Sequence, residues 1–266
     1  MCFARLNTSN KAQEVATHTQ HTHTHAQMAC TVEEMDSEQK VVGESVPLKT
    51  SLLERGAKAL QSLTPIHNFQ QHVCTWAKYS HDMKRAIETH HYVTRLNEDF
   101  LQCAVFDSDG TNARLLGVEY IISYKIFSAL PEEERKLWHS HLYEIKHGLW
   151  INPGVPEALQ RSELEKLAGT YGKFWCTWQS DRGDKIPLGL PVLMMSPQES
   201  SPGLISEEAI RARDKRYDVS STYLAQTRAD IDVGLGAVHP SADHWKKNGK
   251  GFVIELKEVD MVKGSM

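Results

Sequence analysis

FLQCAVFDSDGTNARLLGVEYIIS, residues 100–123, decides how the chain is read. Two apolar runs, FLQCAVFD (100–107) and ARLLGVEYIIS (113–123), flank DSDGTN. Asp109-Gly110 supplies a turn there, because glycine accepts positive φ at no steric cost. Two such runs about a turn predict a β-hairpin. Short strands mixed with single helices, without βαβ regularity, then predict an α+β fold, a mostly antiparallel sheet with packed helices in one domain.

Downstream, Pro131 and Glu132–Glu134 suit a helix start, and Lys146 and His147 before Gly148 suit a helix end, which predicts one helix over 131–147. Residues 157–168 read as a short helix and SEEAIRARDKRY (206–217) as a polar one. KFWCTWQSD (173–181) reads as a buried strand, and FVIEL (252–256) as a last strand. The proline-punctuated run ending in VLMMS is expected to be an edge strand or irregular, since proline cannot donate to a ladder. Upstream, Leu48, Leu52, Leu53, Gly56, Ala59, Leu60 and Leu63 share one arc of a helix running from Pro47 to Thr64, which Pro65 should stop. Such a helix either covers a core, the expectation favoured here, or lies on a lipid surface, with Leu48, Leu52, Leu60 and Leu63 as the contact. Residues 1–45 are polar, with His18, His21, His23 and His25 in one short tract, and are expected to be a disordered His-rich tail. The folded domain then spans 46–266, with its core at about 60–235.

The 266 residues carry 30 Lys plus Arg against 34 Asp plus Glu, a net charge of -4. That mild acidity argues against nucleic acid as a partner, which needs a basic face. The sequence has no apolar run long enough for a transmembrane segment. Five scattered cysteines, Cys2, Cys30, Cys74, Cys103 and Cys176, form no CxxC pair, so the expectation is buried core thiols in an intracellular, cytoplasmic protein.

Chemistry concentrates in few places. His90 and His91 are adjacent, Glu119 is a carboxylate inside an apolar run, and His139, His141 and Glu144 form HxHxxE. On a helix, His141 and Glu144 would face one ligand and His139 would point away; on a strand, His139 and His141 would share a face without Glu144. The signals at Pro131 and Gly148 favour the helix. Together these residues suit a divalent metal such as zinc, iron or manganese, or an acid/base site of an enzyme of lipid or secondary metabolism. The competing reading is core histidines and an ion-paired glutamate. Trp175, Trp178, Met194 and Met195 could line an apolar pocket, the third reading being a carrier of a small apolar ligand. GxSxG, GxxxxGK[ST], HExxH and GxGxxG motifs are absent from the sequence.

HHYVTRLNEDFLQCAVFDSD, ARLLGVEYIIS, LWHSHLYEIKHGLW and TYGKFWCTWQSDRGDKIPLGLPVLMMS, in that order, resemble the oil body-associated protein family. The likeness covers roughly residues 60–235. It implies association with oil bodies, that is, with a lipid droplet surface or a droplet protein, and a role in lipid-body structure. It carries over no established catalysis and no catalytic residue. A chain with no long apolar hairpin should sit on a droplet peripherally.

Overall fold

The computed structural model describes residues 41–199, 205–234 and 238–262. The histidine tract at His18–His25 lies outside the described residues, as do Cys2 and Cys30. The expected hairpin is present: β3 (Phe100–Phe106) pairs antiparallel with β4 (Leu115–Ser123), placing Cys103 opposite Glu119. Its loop is tied by Asp107, which accepts from the Arg114 backbone N–H and guanidinium.

Five further strands complete one sheet: β1 (Gln71–Tyr79), β2 (Asp82–Asn97), β5 (His139–Ser140), β6 (Thr170–Cys176) and β7 (Val192–Met195). The order is β4-β3-β2-β1-β7-β6-β5, and β4 also pairs with β6, so six strands close into an antiparallel barrel. Closure is more specific than the expected α+β sheet, and it leaves the six strands without free edges. One edge of β6 pairs with β4 along its whole length. The other is shared, Tyr171 and Gly172 pairing with β5 and Phe174–Cys176 with β7.

Alternation fills the barrel. Val73 and Ala77 of β1, Ile87 and Val93 of β2, Leu101, Cys103 and Val105 of β3, Ile121 of β4, Phe174 and Cys176 of β6 and Met194 of β7 form a continuous buried cluster. The three described cysteines are free and buried. Burial pushes the Cys103 thiol well above its ordinary value, and it is a core residue here.

Local expectations fail where tertiary hydrogen bonds compete. Residues 131–147 are not one helix but Glu132–Arg135, β5, and a second short helix Leu142–Lys146. β5 exists because its backbone pairs with β6, and because the Asp243 carboxylate accepts from both the Ser140 backbone N–H (3.0 Å) and its hydroxyl (2.6 Å). The strand ending in Met195 is central, between β1 and β6, rather than at an edge. Its prolines, Pro187 and Pro191, both precede Val192 and remove no ladder donor. β6 begins at Thr170 and ends at Cys176, short of the predicted 181. Residues 252–256 form no strand. The helices at Glu157–Ala168 and Glu207–Tyr217 are as expected.

The leucine helix spans Leu48–Leu60, and Pro65 sits in the first turn of the next one, Thr64–His67, where its missing N–H costs nothing. None of the residues of Leu48–Leu60 is buried. The expectation that this helix covers the core is therefore overturned.

The outer helices are fastened by two fully buried arginines. Arg228 makes a bidentate pair with Glu157 and donates to the carbonyls of Ile145 and Trp150. Arg213 donates to the carbonyls of Gly148 and Leu149 and lies over the Trp76 ring.

Candidate functional site

The barrel interior is apolar except at one level, where β4 projects Glu119 inward. A buried carboxylate is costly unless it is partnered. Three imidazoles surround this one. His91 of β2 places Nδ1 2.8 Å from Oε2, His139 of β5 places Nε2 3.0 Å from Oε1, and His141 places Nε2 3.7 Å from Oε1. Glu119, His91, His139 and His141 are all at most 5% exposed. Burial alone would raise the Glu119 pKa; the histidines outweigh it and hold the carboxyl well below the usual range.

His139 and His141 reach the same carboxylate because β5 ends at Ser140 and the chain turns helical at His141, the N-cap of Leu142–Lys146. Neither a continuous helix nor a continuous strand would bring His139, His141 and Glu144 together; the strand-to-helix transition does. Glu144 lies in the first turn of that helix and accepts from the Thr75 hydroxyl at 2.5 Å. Burial pushes its pKa up to about 8, so it is largely protonated at neutral pH.

Two of the three outer ring nitrogens have partners of their own. His141 Nδ1 is 2.9 Å from Thr170 Oγ1, which donates to the Leu167 carbonyl at 2.6 Å. His91 Nε2 is 2.9 Å from Thr89 Oγ1. His139 Nδ1 is buried and has no hydrogen-bond partner. The Thr75, Thr89 and Thr170 contributions are invisible in the sequence, since each is an ordinary strand threonine until the barrel closes. Gly172 opposes His139 across the β5–β6 ladder and leaves the space between these groups open. The cavity at this level has a volume of about 10 Å³. That suffices for roughly one water molecule or one ion, against the several hundred Å³ typical of an organic ligand's pocket.

The sixth predicted residue, His90, is not at this centre. Adjacent residues of a strand face opposite ways, so His90 lies on the outer wall, with Nδ1 3.0 Å from His72 and Nε2 3.1 Å from Glu88. Of the residues suggested for an apolar pocket, Met194 points into the barrel opposite Phe174, while Trp175 pairs with Leu193 on the outer face. Trp178 lies beyond β6, its indole N–H donating to the Asp184 carbonyl at 2.9 Å. Met195 borders the histidine centre. Trp175 and Met194 therefore lie on opposite sides of the barrel wall and do not line one pocket.

A second feature is on the surface. Along Leu48–Leu60, Leu48, Leu52, Leu53 and Leu60 are exposed by 77%, 58%, 66% and 90%. Leu63, just beyond, is half-buried. No helix among the described residues is long and apolar enough to cross a membrane.

Residues 63–232 match the family model described as "Protein of unknown function (DUF1264)". The chain is 50% identical over 219 residues to oil body-associated protein 2A of Zea mays, covering 82% of this chain and 87% of that protein. It is 48% identical to oil body-associated protein 2A of Arabidopsis thaliana (85% and 92%) and 42% identical to oil body-associated protein 1B of the same plant (83% and 90%). No solved structure matches. The chain belongs to the oil body-associated protein family.

Proposed function

We propose that this chain is a peripheral protein of the oil-body surface, in which the barrel is a rigid body and the helix Leu48–Leu60 is the element that touches lipid. The observation that carries this reading is the helix's apolar arc: four leucines, each more than half exposed, on an element with no buried residue. The names of the relatives supply the kind of surface such an arc would meet. Burying a leucine side chain is worth roughly 1.5–3 kcal/mol, so four give on the order of 6–12 kcal/mol before the costs of ordering. The polar side carries Arg55 and Lys58 against Glu54, and Lys49 is the one charged residue inside the apolar arc. Attraction to anionic lipid is therefore a minor part, and apolar insertion at the boundary of headgroups and acyl chains is the larger one. The small volume at the barrel centre supports a structural rather than a catalytic role for the barrel.

The test is flotation of the purified full-length chain with triacylglycerol droplets coated by a phospholipid monolayer. The chain should float with the droplets, and the double variant Leu52→Glu/Leu60→Glu should remain in the aqueous layer with an unchanged melting temperature. Equal flotation of the variant would refute the assignment of the helix.

A further inference from the structure

We propose that the centre of the barrel is a binding site for one divalent transition-metal ion of the zinc class, held by Glu119 Oε1, His139 Nε2 and His141 Nε2.

These three atoms lie within 4.8 Å of one another. A β-carbon built on Gly172 would fall 2.5 Å from His139 Nε2, 2.7 Å from His141 Nε2 and closer still to Glu119 Oε1. The three donor atoms thus converge on Gly172, and glycine there leaves the space in front of them free of a side chain. Ions of this class bind imidazole nitrogen and carboxylate oxygen at about 2.0–2.2 Å, so their ligand atoms stand about 3.0–3.7 Å apart for bond angles between about 90° and 120°. The observed separations from Glu119 Oε1 are 3.0 Å to His139 and 3.7 Å to His141. The first is a hydrogen bond without an ion; the second is too long to be one.

Proton bookkeeping at His141 points the same way. Thr170 has one hydroxyl proton and gives it to the Leu167 carbonyl, so Thr170 accepts from His141 Nδ1–H. In the neutral ring, Nε2 is then a lone pair facing a carboxylate oxygen, an arrangement that a cation between them resolves. A metal-bound histidine is usually fixed by such a hydrogen bond at its far nitrogen. At His139, Nε2–H donates to Glu119 Oε1 when no ion is bound; ligation moves that proton to Nδ1, which is buried without a partner, so the ion's bonds must outweigh the cost of one unpaired N–H. His91 serves the carboxylate from its other side, 2.8 Å from Oε2, and positions it. Imidazole with carboxylate favours zinc, iron, manganese or cobalt over calcium or magnesium. With about 10 Å³ there, the ion itself takes up the space and no organic substrate fits beside it. The ion would cross-link β4, β5 and the start of the following helix, and this inference is independent of how the chain meets lipid.

The probe is cobalt(II), with zinc(II) as competitor, added to the untagged full-length chain carrying His18→Ala, His21→Ala, His23→Ala and His25→Ala to silence the terminal tract. The expected result is about one ion per chain, with visible absorption from a nitrogen- and oxygen-ligated site and a raised melting temperature. His141→Ala should abolish the signal and His90→Ala should keep it. Thr170→Val, which leaves every ligand in place, should weaken binding 10–100-fold. A natively folded chain that takes up no cobalt or zinc overturns the proposal. So does a signal unchanged in His141→Ala, or, if that variant fails to fold, one unchanged in Thr170→Val.

Discussion

Gly172→Ala adds a single methyl group at the most crowded point of the barrel. Alanine in place of glycine on a strand ordinarily stabilises a protein by about 0.4–1 kcal/mol, through the unfolded chain. Here the new carbon would fall 2.5 Å and 2.7 Å from the near nitrogens of His139 and His141, where ordinary contact begins at 3.4 Å. Each ring would have to retreat by roughly 0.7–0.9 Å, on a potential that is steep at that range. Neither can do so freely: His141 is held from behind by Thr170, and His139 sits on a two-residue strand pinned through Ser140 by Asp243. Overpacking costs about 1–3 kcal/mol, and losing one hydrogen bond to the buried carboxylate about 1.5–3 more. The expected net loss is therefore about 2–5 kcal/mol, read as a lower urea midpoint at unchanged slope. Gly56→Ala, on the exposed face of Leu48–Leu60 with nothing near its β-carbon, is the matched control and should be neutral or slightly stabilising. A Gly172→Ala variant as stable as the control would refute the packing described for the centre.

Other outcomes follow from the buried charges. Arg228→Met removes a guanidinium that holds Glu157 and two carbonyls, and should cost about 3–5 kcal/mol in urea unfolding, because its partners stay behind unpaired. Burial raises Glu144 from 4.5 to about 8 in the folded chain. Its contribution is fully present below pH 4.5 and is lost as pH rises toward 8, with a ceiling on the order of 5 kcal/mol. Glu144→Gln should therefore flatten the stability–pH curve over that window, and parallel curves for variant and parent would contradict the assignment. Tyr79 donates to Asp181 at 2.5 Å beneath the Arg85 guanidinium, so Tyr79→Phe should lose about 1–2 kcal/mol in the same assay.

The hairpin at 100–123 was legible because its two apolar runs and its turn residues carry the whole signal locally. Glu119 stood out for the same reason, as a charge in an apolar run. What escaped was set by contacts distant in sequence. β5 forms because Tyr171, Gly172 and Asp243 offer its backbone partners that the local signals at Pro131 and Gly148 could not anticipate. A helix there would turn His139 away from His141, and only the strand-to-helix change at Ser140–His141 brings both to Glu119. His90 and His91 could not be separated without knowing which face of β2 turns inward. Arg213 and Arg228 resembled ordinary surface residues of polar segments, and only the docking of those segments on the 145–151 loop buries them. Barrel closure rests on the β4–β6 pairing, between strands with two helices, a third strand and two further helices between them in the chain, and leaves no periodic trace in the sequence.

The claim at the centre of this account is that the chain meets lipid through Leu48–Leu60. A solvatochromic dye reads it most directly, attached to full-length protein carrying Cys2→Ser and Cys30→Ser, since Cys74, Cys103 and Cys176 are buried. One variant carries the dye at Ala59→Cys, on the apolar arc, and another at Val118→Cys, exposed on the outer wall of the barrel. On adding monolayer-coated triacylglycerol droplets, emission at position 59 should shift to the blue while emission at 118 stays as it is in water. A shift at 118 with none at 59 would contradict the account and place the docking face on the barrel itself.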